Sequence, residues 1–203
     1  MAAFWDRIAF AYDLAEGLNR RAVGAMAAET ARLTPVGALA LDCACGTGTL
    51  ALAMAGRARR VWCTDLSQAM LLRAGRRASR LGLHHLSFAL RDVTALPEGD
   101  GTFDLSAAGN VLHLLEHPER AVSELLRVTR PGGLVLLPTF LHGEISDPAA
   151  RLALRLWRLL GFSTARTFDR ASYRAFLEGC GASIQQFSVL PGRIPVGLAV
   201  LRP

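Results

Sequence analysis

The segment Leu41-Asp42-Cys43-Ala44-Cys45-Gly46-Thr47-Gly48 joins an apolar, strand-like run to a helical pattern. Small residues at such a junction let the backbone close on a ligand, and the helix N-terminus turns free N–H groups toward it. Asp65 stands at the end of the next apolar run. A carboxylate there accepts hydrogen bonds from both hydroxyls of a ribose. Asp92 follows the third run, in Arg91-Asp92-Val93, where it can accept from an exocyclic amine such as that of adenine. One glycine loop alone is weak evidence. Three acids at three successive strand ends define a nucleoside crevice.

The loop departs from a dinucleotide fingerprint. Counted from Gly46, Gly-x-Gly-x-x-Gly needs a glycine where Ala51 stands. The pattern tolerates alanine there, so hydride transfer stays open at this point. Asp42, however, would repel a pyrophosphate and suits a cation such as an ammonium or a sulfonium. That electrostatic argument favours S-adenosyl-L-methionine over a nicotinamide dinucleotide.

Apolar runs alternate with helical patterns along the chain, which predicts a parallel α/β sheet. Residues 4–33 read as two helices broken near Gly17. Strands are predicted at Ala38–Cys43, Val61–Thr64, Leu86–Leu90, Phe103–Ala108 and Leu134–Phe140. Helices are predicted from Gly48 through Ala55, from the Ser67 cap to about Leu81, and from Pro118 to near Arg130, with Pro131-Gly132-Gly133 as its stop. Two more follow at 147–161 and 170–179. Two last strands, Ser183–Leu190 and Ile194–Leu201, are joined by Pro191-Gly192-Arg193. That connection is too short for a parallel crossover and predicts an antiparallel hairpin.

Composition narrows the classes. The chain has 203 residues, 51% of them hydrophobic, enough for one buried core and too many apolar side chains for global disorder. Its net charge of +6 comes from 23 basic residues, every one an arginine. They are scattered without interleaved aromatics, so nucleic-acid binding is disfavoured. Four cysteines do not make a disulfide scaffold. Cys43 and Cys45, two apart on a strand, are expected on one side as buried core thiols. No secretory leader or membrane span is expected, and the expected location is cytoplasmic.

Leu-Asp-x-x-Cys-Gly-Thr-Gly, Asp65, Arg91-Asp92-Val93, Phe103-Asp104 and Glu124-x-x-Arg127-Val128 leading to Arg130-Pro131-Gly132-Gly133 together resemble a class I S-adenosylmethionine-dependent methyltransferase. The subgroup is the methyltransferase-11 type, which includes the quinone-pathway C-methyltransferases. The likeness is specific over residues 37–140 and extends weakly to Phe4–Asp13. It implies a Rossmann-like three-layer sandwich, with a seven-stranded, mostly parallel sheet ending in an antiparallel hairpin. It also implies one methyltransferase domain over 1–203: an N-terminal helical lid (1–36), a cofactor-binding half (37–140), and substrate-cap helices with the hairpin (141–203).

Carried over by position, the resemblance implies that Asp42 and the backbone of Ala44, Cys45, Gly46, Thr47 and Gly48 hold the methionine end of the cofactor. Asp65 binds the ribose, with Leu66 and Met70 beside the adenine and Asp92-Val93 at its edge. Gly109, Asn110 and His113 face the sulfonium and the acceptor, and Trp5 and Tyr12 cover the cofactor from the first helix. Ala44 replaces the family's commoner glycine, and His117 stands where an aspartate usually precedes Pro118. His113 is the candidate general base, with substrate positioning as its alternative. The expected activity is methyl transfer to a small organic acceptor, apolar or anionic, at O, N or C. A non-catalytic cofactor-binding relative and an RNA or protein methyltransferase are the alternatives. Arg151, Arg155 and Arg158 share one face of the 147–161 helix; Leu152, Leu156, Leu159 and Leu160 form an adjoining one, with Trp157 at the boundary. That helix is expected either to cover the sheet with its arginines solvated, or to line the acceptor pocket with its leucine face while the arginines attract an anion or a lipid surface.

Overall fold

Seven strands form one sheet in the computed structural model, which describes residues 4–9, 17–159 and 164–203, with backbone alone at 157–159. The strands are β1 (Leu39–Cys43), β2 (Arg60–Asp65), β3 (Leu86–Leu90), β4 (Phe103–Ala108), β5 (Thr129–Phe140), β6 (Ser183–Leu190) and β7 (Val196–Arg202). Their order is β3-β2-β1-β4-β5-β7-β6. β7 alone runs antiparallel to its neighbours, as the short Pro191–Arg193 connection requires. The helices are α1 (residues 4–9), α2 (Arg20–Leu33), α3 (Thr49–Ala55), α4 (Gln68–Arg80), α5 (Pro118–Val128), α6 (Pro148–Leu159) and α7 (Arg170–Gly179).

Side chains alternate across a strand, so each interior strand feeds two cores. Ala40, Leu136, Leu198 and Val200 pack with Ala22 and Met26 of α2, Leu50, Ala51 and Met54 of α3, and Leu71 of α4. Leu41, Cys43, Val135, Leu137, Ala199 and Leu201 pack on the other face with α5 and α7. Tyr173 of α7 is fully buried there; its hydroxyl donates to the Leu137 carbonyl at 2.7 Å and accepts from Thr139 at 3.2 Å. Ser67 caps α4 as expected, accepting from the Met70 N–H. His117 makes no cap bond for α5; its Nδ1 meets the Glu119 carboxylate instead.

Two expectations need correction. Pro131-Gly132-Gly133 does not stop α5, which ends at Val128, where the chain enters β5 directly at Thr129. Those residues form a bulge, because Phe103 pairs Thr129 while Leu105 pairs Leu134. Cys43 and Cys45 do not share a side: Ala44 has φ 51°, the chain turns there, and the two thiols lie in opposite cores. Burial raises both thiol pKa values well above the ordinary range, so neither is a ready thiolate. On α6, Leu152 and Leu156 are more than half exposed, so the leucine face is not packed against the sheet at these positions. Tyr12, Leu160 and the end of the predicted 147–161 helix lie outside the described residues, as do the side chains of Trp157, Arg158 and Leu159. No described helix is long and apolar enough to cross a membrane.

Candidate functional site

The strand order reverses between β1 and β4, and ligands of open α/β sheets bind beyond the strands' carboxyl ends at that point. A cavity of about 650 Å³, open mouth included, lies there. Its walls bring together nine residues expected from sequence: Trp5, Ala44, Gly46, Asp65, Leu66, Met70, Val93, Gly109 and Asn110. A smaller adjoining cavity is lined by Asp42 and Cys45 together with Met26, Gly109 and Asn110.

Asp65 organises the turn. Its Oδ2 accepts the Gly46 N–H and its Oδ1 accepts the Ser67 N–H, both at 2.9 Å. Each carboxylate oxygen keeps a second lone pair, which two vicinal hydroxyls can fill. Burial raises the Asp65 pKa, against the lowering effect of the backbone hydrogen bonds. A buried carboxylate on a cavity wall is suited to a ligand that brings donors.

Two non-glycine residues on the cavity wall, Ala44 (φ 51°) and Asn110 (φ 54°), adopt left-handed backbone. Such strain concentrates at functional sites. It also explains the family's usual glycine at the first of them. Asn110 donates its main-chain N–H to the Pro138 carbonyl at 2.7 Å and its side-chain amide to the Met26 sulfur. Its Oδ1 is buried without a partner among the described residues. Gly109 has a physical reason as well, since a Cβ there would sit 2.9 Å from the Leu50 side chain.

Asp42 is buried, and its Oδ2 accepts the Ala51 N–H at the start of α3 at 2.8 Å. Thr47 is buried beneath Arg77, which donates to its carbonyl and hydroxyl, and Gly48 is the left-handed N-cap of α3. Neither lines a cavity described above. Asp92 is exposed and accepts from the N–H and hydroxyl of Thr94, while Arg91 and Val93 line the cavity. Asp92 lies past the end of β3, where its carbonyl accepts the Ala95 N–H and its side chain closes a turn on Thr94. His113 lines neither cavity; it is buried, and burial first, then His142, lowers its pKa well below the usual histidine value.

Sequence reasoning gave no site role to Arg91, Val111, Leu114 or Leu115, which complete the wall with Trp5. Trp5 was legible from its place on the first helix. The next residue, Asp6, latches that helix: its Oδ1 accepts from the Ser67 hydroxyl at 2.6 Å and the Ala69 N–H at 3.1 Å.

The remaining motif residues act away from the cavity. Asp104 accepts from the Leu39 N–H and from Arg130, tying the beginnings of β1, β4 and β5. Arg127 pairs with both Glu124 oxygens and donates to the carbonyls of Leu96 and Glu98 and to Asp100. It thereby clamps residues 96–100, and with them the segment bearing Arg91 and Val93. Arg127→Ala is expected to cost about 2 kcal/mol, a fall of about 4–8 °C in Tm, with several-fold weaker nucleoside binding. Arg127→Lys should restore little, because a point charge cannot reproduce the fork. Calorimetric melting and titration of both variants check this.

Comparisons with known proteins agree with this geometry. A family model described as "Methyltransferase domain" matches residues 41–137. A malonyl-[acyl-carrier protein] O-methyltransferase of Serratia marcescens is 33% identical over 147 residues, covering 72% of this chain and 55% of that protein. A ubiquinone/menaquinone biosynthesis C-methyltransferase of Bordetella avium is 37% identical over 145 residues, covering 68% and 55%. The chain thus spans about half the length of these two relatives. The crystal structure of magnesium protoporphyrin IX methyltransferase from Synechocystis superposes with TM-score 0.67 at 20% identity, over 89% of this chain and 83% of the other, and supports the fold alone. With its motifs, strand order and switch-point cavity accounted for, residues 41–137 match the methyltransferase-11 domain of S-adenosylmethionine-dependent methyltransferases.

Proposed function

We propose that this chain transfers a methyl group from S-adenosylmethionine to a small organic acceptor. The observation that carries the reading is the convergence of Asp65, the left-handed Ala44 and Asn110, and an apolar wall in one cavity at the strand-order reversal. These residues fit the cofactor. Asp65 would take the ribose hydroxyls and the Ala44–Gly46 backbone the methionine end. The orphan Asn110 Oδ1 would take a donor such as the ammonium. Trp5, Leu66, Met70 and Val93 would pack on the base.

When bound, the cofactor supplies an electrophilic methyl group on a sulfonium. The protein's part is then to align the acceptor and exclude water, and no nucleophilic side chain is required. The wall residues Val111, Leu114 and Leu115 serve that end, and the α1 latch through Asp6 holds Trp5 over the opening. Acceptor classes worth testing come from the relatives' names, a demethylmenaquinone and a malonyl thioester among them. Titration calorimetry with S-adenosylmethionine, followed by an assay for S-adenosylhomocysteine release over that panel, tests the proposal. Binding with turnover of at least one acceptor is expected. Binding without turnover on any acceptor would favour a cofactor-binding relative, and no binding would refute the reading.

A further inference from the structure

β3 is an edge of the sheet and pairs with β2 alone. The parallel register decides which of its backbone groups that pairing uses. The His85 carbonyl accepts from the Val61 N–H, and the Arg91 N–H donates to the Asp65 carbonyl. Ser87 and Ala89 therefore bond inward to β2, while the N–H and C=O groups of Leu86, Phe88 and Leu90 point outward. Of these outward groups the Leu90 carbonyl accepts from Arg91, and the others have no partner among the described residues. An edge of this kind is a template for another strand unless something blunts it. The opposite edge, β6, carries a bulge; β3 has no bulge, no proline and no charge.

The same edge forms one side of a groove of about 1080 Å³, open mouth included, and α4 forms the other. Phe88 and Leu90 line it with Leu72, Gly75, Arg76 and Arg80. Leu72 is 52% exposed and Leu90 49%, so the groove presents apolar surface to solvent. Glycine is a poor residue for a helix interior, yet Gly75 stands in the middle of α4. Packing does not require it: a Cβ there would lie 3.8 Å from the Phe88 ring, an ordinary contact. Its missing side chain leaves the groove floor open at that ring.

Charge identifies what fits. Residues 66–91 hold five arginines and no acid. Arg77 is engaged with Thr47 and Arg91 with Glu98. The Arg76 and Arg80 side chains are exposed and make no hydrogen bond or ion pair among the described residues. A second copy suits this edge badly, because antiparallel two-fold pairing of β3 with itself sets α4 beside its twin, arginine against arginine. The complement is an extended segment, apolar toward Phe88 and Leu72 and carboxylate-bearing toward Arg76 and Arg80.

We propose that the groove between β3 and α4 is a docking site for an extended acidic segment of a partner protein, which adds to the sheet as a further strand beside β3. The inference stands apart from the methyl-transfer reading. Its place adjoins that site: Leu71 and Leu90 line the groove, and their chain neighbours Met70 and Arg91 line the cofactor cavity.

The test is amide hydrogen exchange of the full chain with and without a synthetic nonapeptide at millimolar concentration. The peptide alternates threonine with isoleucine, glutamate, valine and glutamate, so that one face carries the apolar and acidic side chains. Without it, the Phe88 and Leu90 amides should exchange freely, and those of Ser87 and Ala89 slowly. With it, Phe88 and Leu90 should become protected. A peptide with lysine in place of glutamate should bind about tenfold more weakly, and Arg76→Glu/Arg80→Glu should reverse that preference. Gly75→Gln should weaken the acidic peptide several-fold with Tm unchanged or raised, because glutamine is the better helix former. Without peptide, both variants should bind S-adenosylhomocysteine as the wild type does, which separates lost docking from lost folding. Failure of the wild type to bind S-adenosylhomocysteine would refute the methyl-transfer reading and leave this inference standing. No protection by the acidic peptide, or equal binding of the acidic and basic peptides, would overturn the inference. So would protection without peptide that grows with protein concentration, which marks a second copy. Protection by phosphatidylglycerol vesicles but not by peptide would overturn it in favour of a membrane surface.

Discussion

Asp65→Ala is expected to weaken S-adenosylmethionine binding by at least tenfold, the larger part of it through the ribose. Two charge-assisted hydrogen bonds to a buried carboxylate are worth about 1.5–3 kcal/mol, which is a factor of about 10 to 150. The structure adds a second contribution. The same carboxylate holds the Gly46 and Ser67 N–H groups, so its removal also loosens the loop that faces the cofactor and the turn that caps α4. Unchanged stability is therefore not expected: the variant should lose affinity and melt earlier together. Asp65→Asn, which keeps one acceptor oxygen, should fall between. The pH dependence has a definite sign. Burial raises the Asp65 pKa, so on acidification affinity should begin to fall at a higher pH than an ordinary aspartate would give. Titration calorimetry across pH measures all three effects, and wild-type affinity in Asp65→Ala would sink the ribose assignment.

The second large effect concerns folding. Gly133→Ala is expected to destabilise the protein by about 3 kcal/mol, a fall in Tm of about 6–12 °C for a chain of this size. A Cβ at Gly133 would lie 2.7 Å from the Thr129 methyl, 2.8 Å from the Asp104 carbonyl and 2.9 Å from the Arg130 carbonyl. Two of those three atoms are backbone, so β4 and β5 must separate to admit it. Gly132→Ala is the control. Its neighbour atoms are no closer than 4.0 Å, but its φ of 78° is left-handed, so about 1 kcal/mol is expected there. Chemical denaturation of both variants gives the difference; equal losses would contradict the crowding argument.

Gly133 also marks where sequence legibility stopped. A proline and two glycines after a helical pattern read as a helix stop, but the same residues serve equally as a bulge inside a strand. Only the pairing of Phe103 with Thr129 decides between them. The strands were otherwise legible because buried parallel strands are continuous apolar runs, and the hairpin because three residues cannot cross over a sheet. The site was legible wherever the backbone makes it, at Ala44, Gly46, Gly109 and the turn at Asp65. It was less legible where side-chain direction matters. Asp92 and His113 stand in the expected segments, yet the first is exposed in a turn bonded to Thr94 and the second is buried away from both described cavities. Cys45 crossed to the other core because Ala44 took a left-handed conformation, which the letters Cys-Ala-Cys do not announce. On α6, an amphipathic pattern identified a helix correctly, but periodicity does not say what a leucine stripe faces, and Leu152 and Leu156 are exposed.

The most direct test of the central claim is a crystal structure with S-adenosylhomocysteine. The account predicts the nucleoside at the carboxyl ends of β1, β2 and β4. Both ribose hydroxyls should lie within about 3 Å of the Asp65 carboxylate, the base between Leu66, Met70 and Val93, and the amino-acid end along Ala44–Gly46 toward Asn110. A nucleoside bound elsewhere, or a ribose that does not touch Asp65, would contradict it.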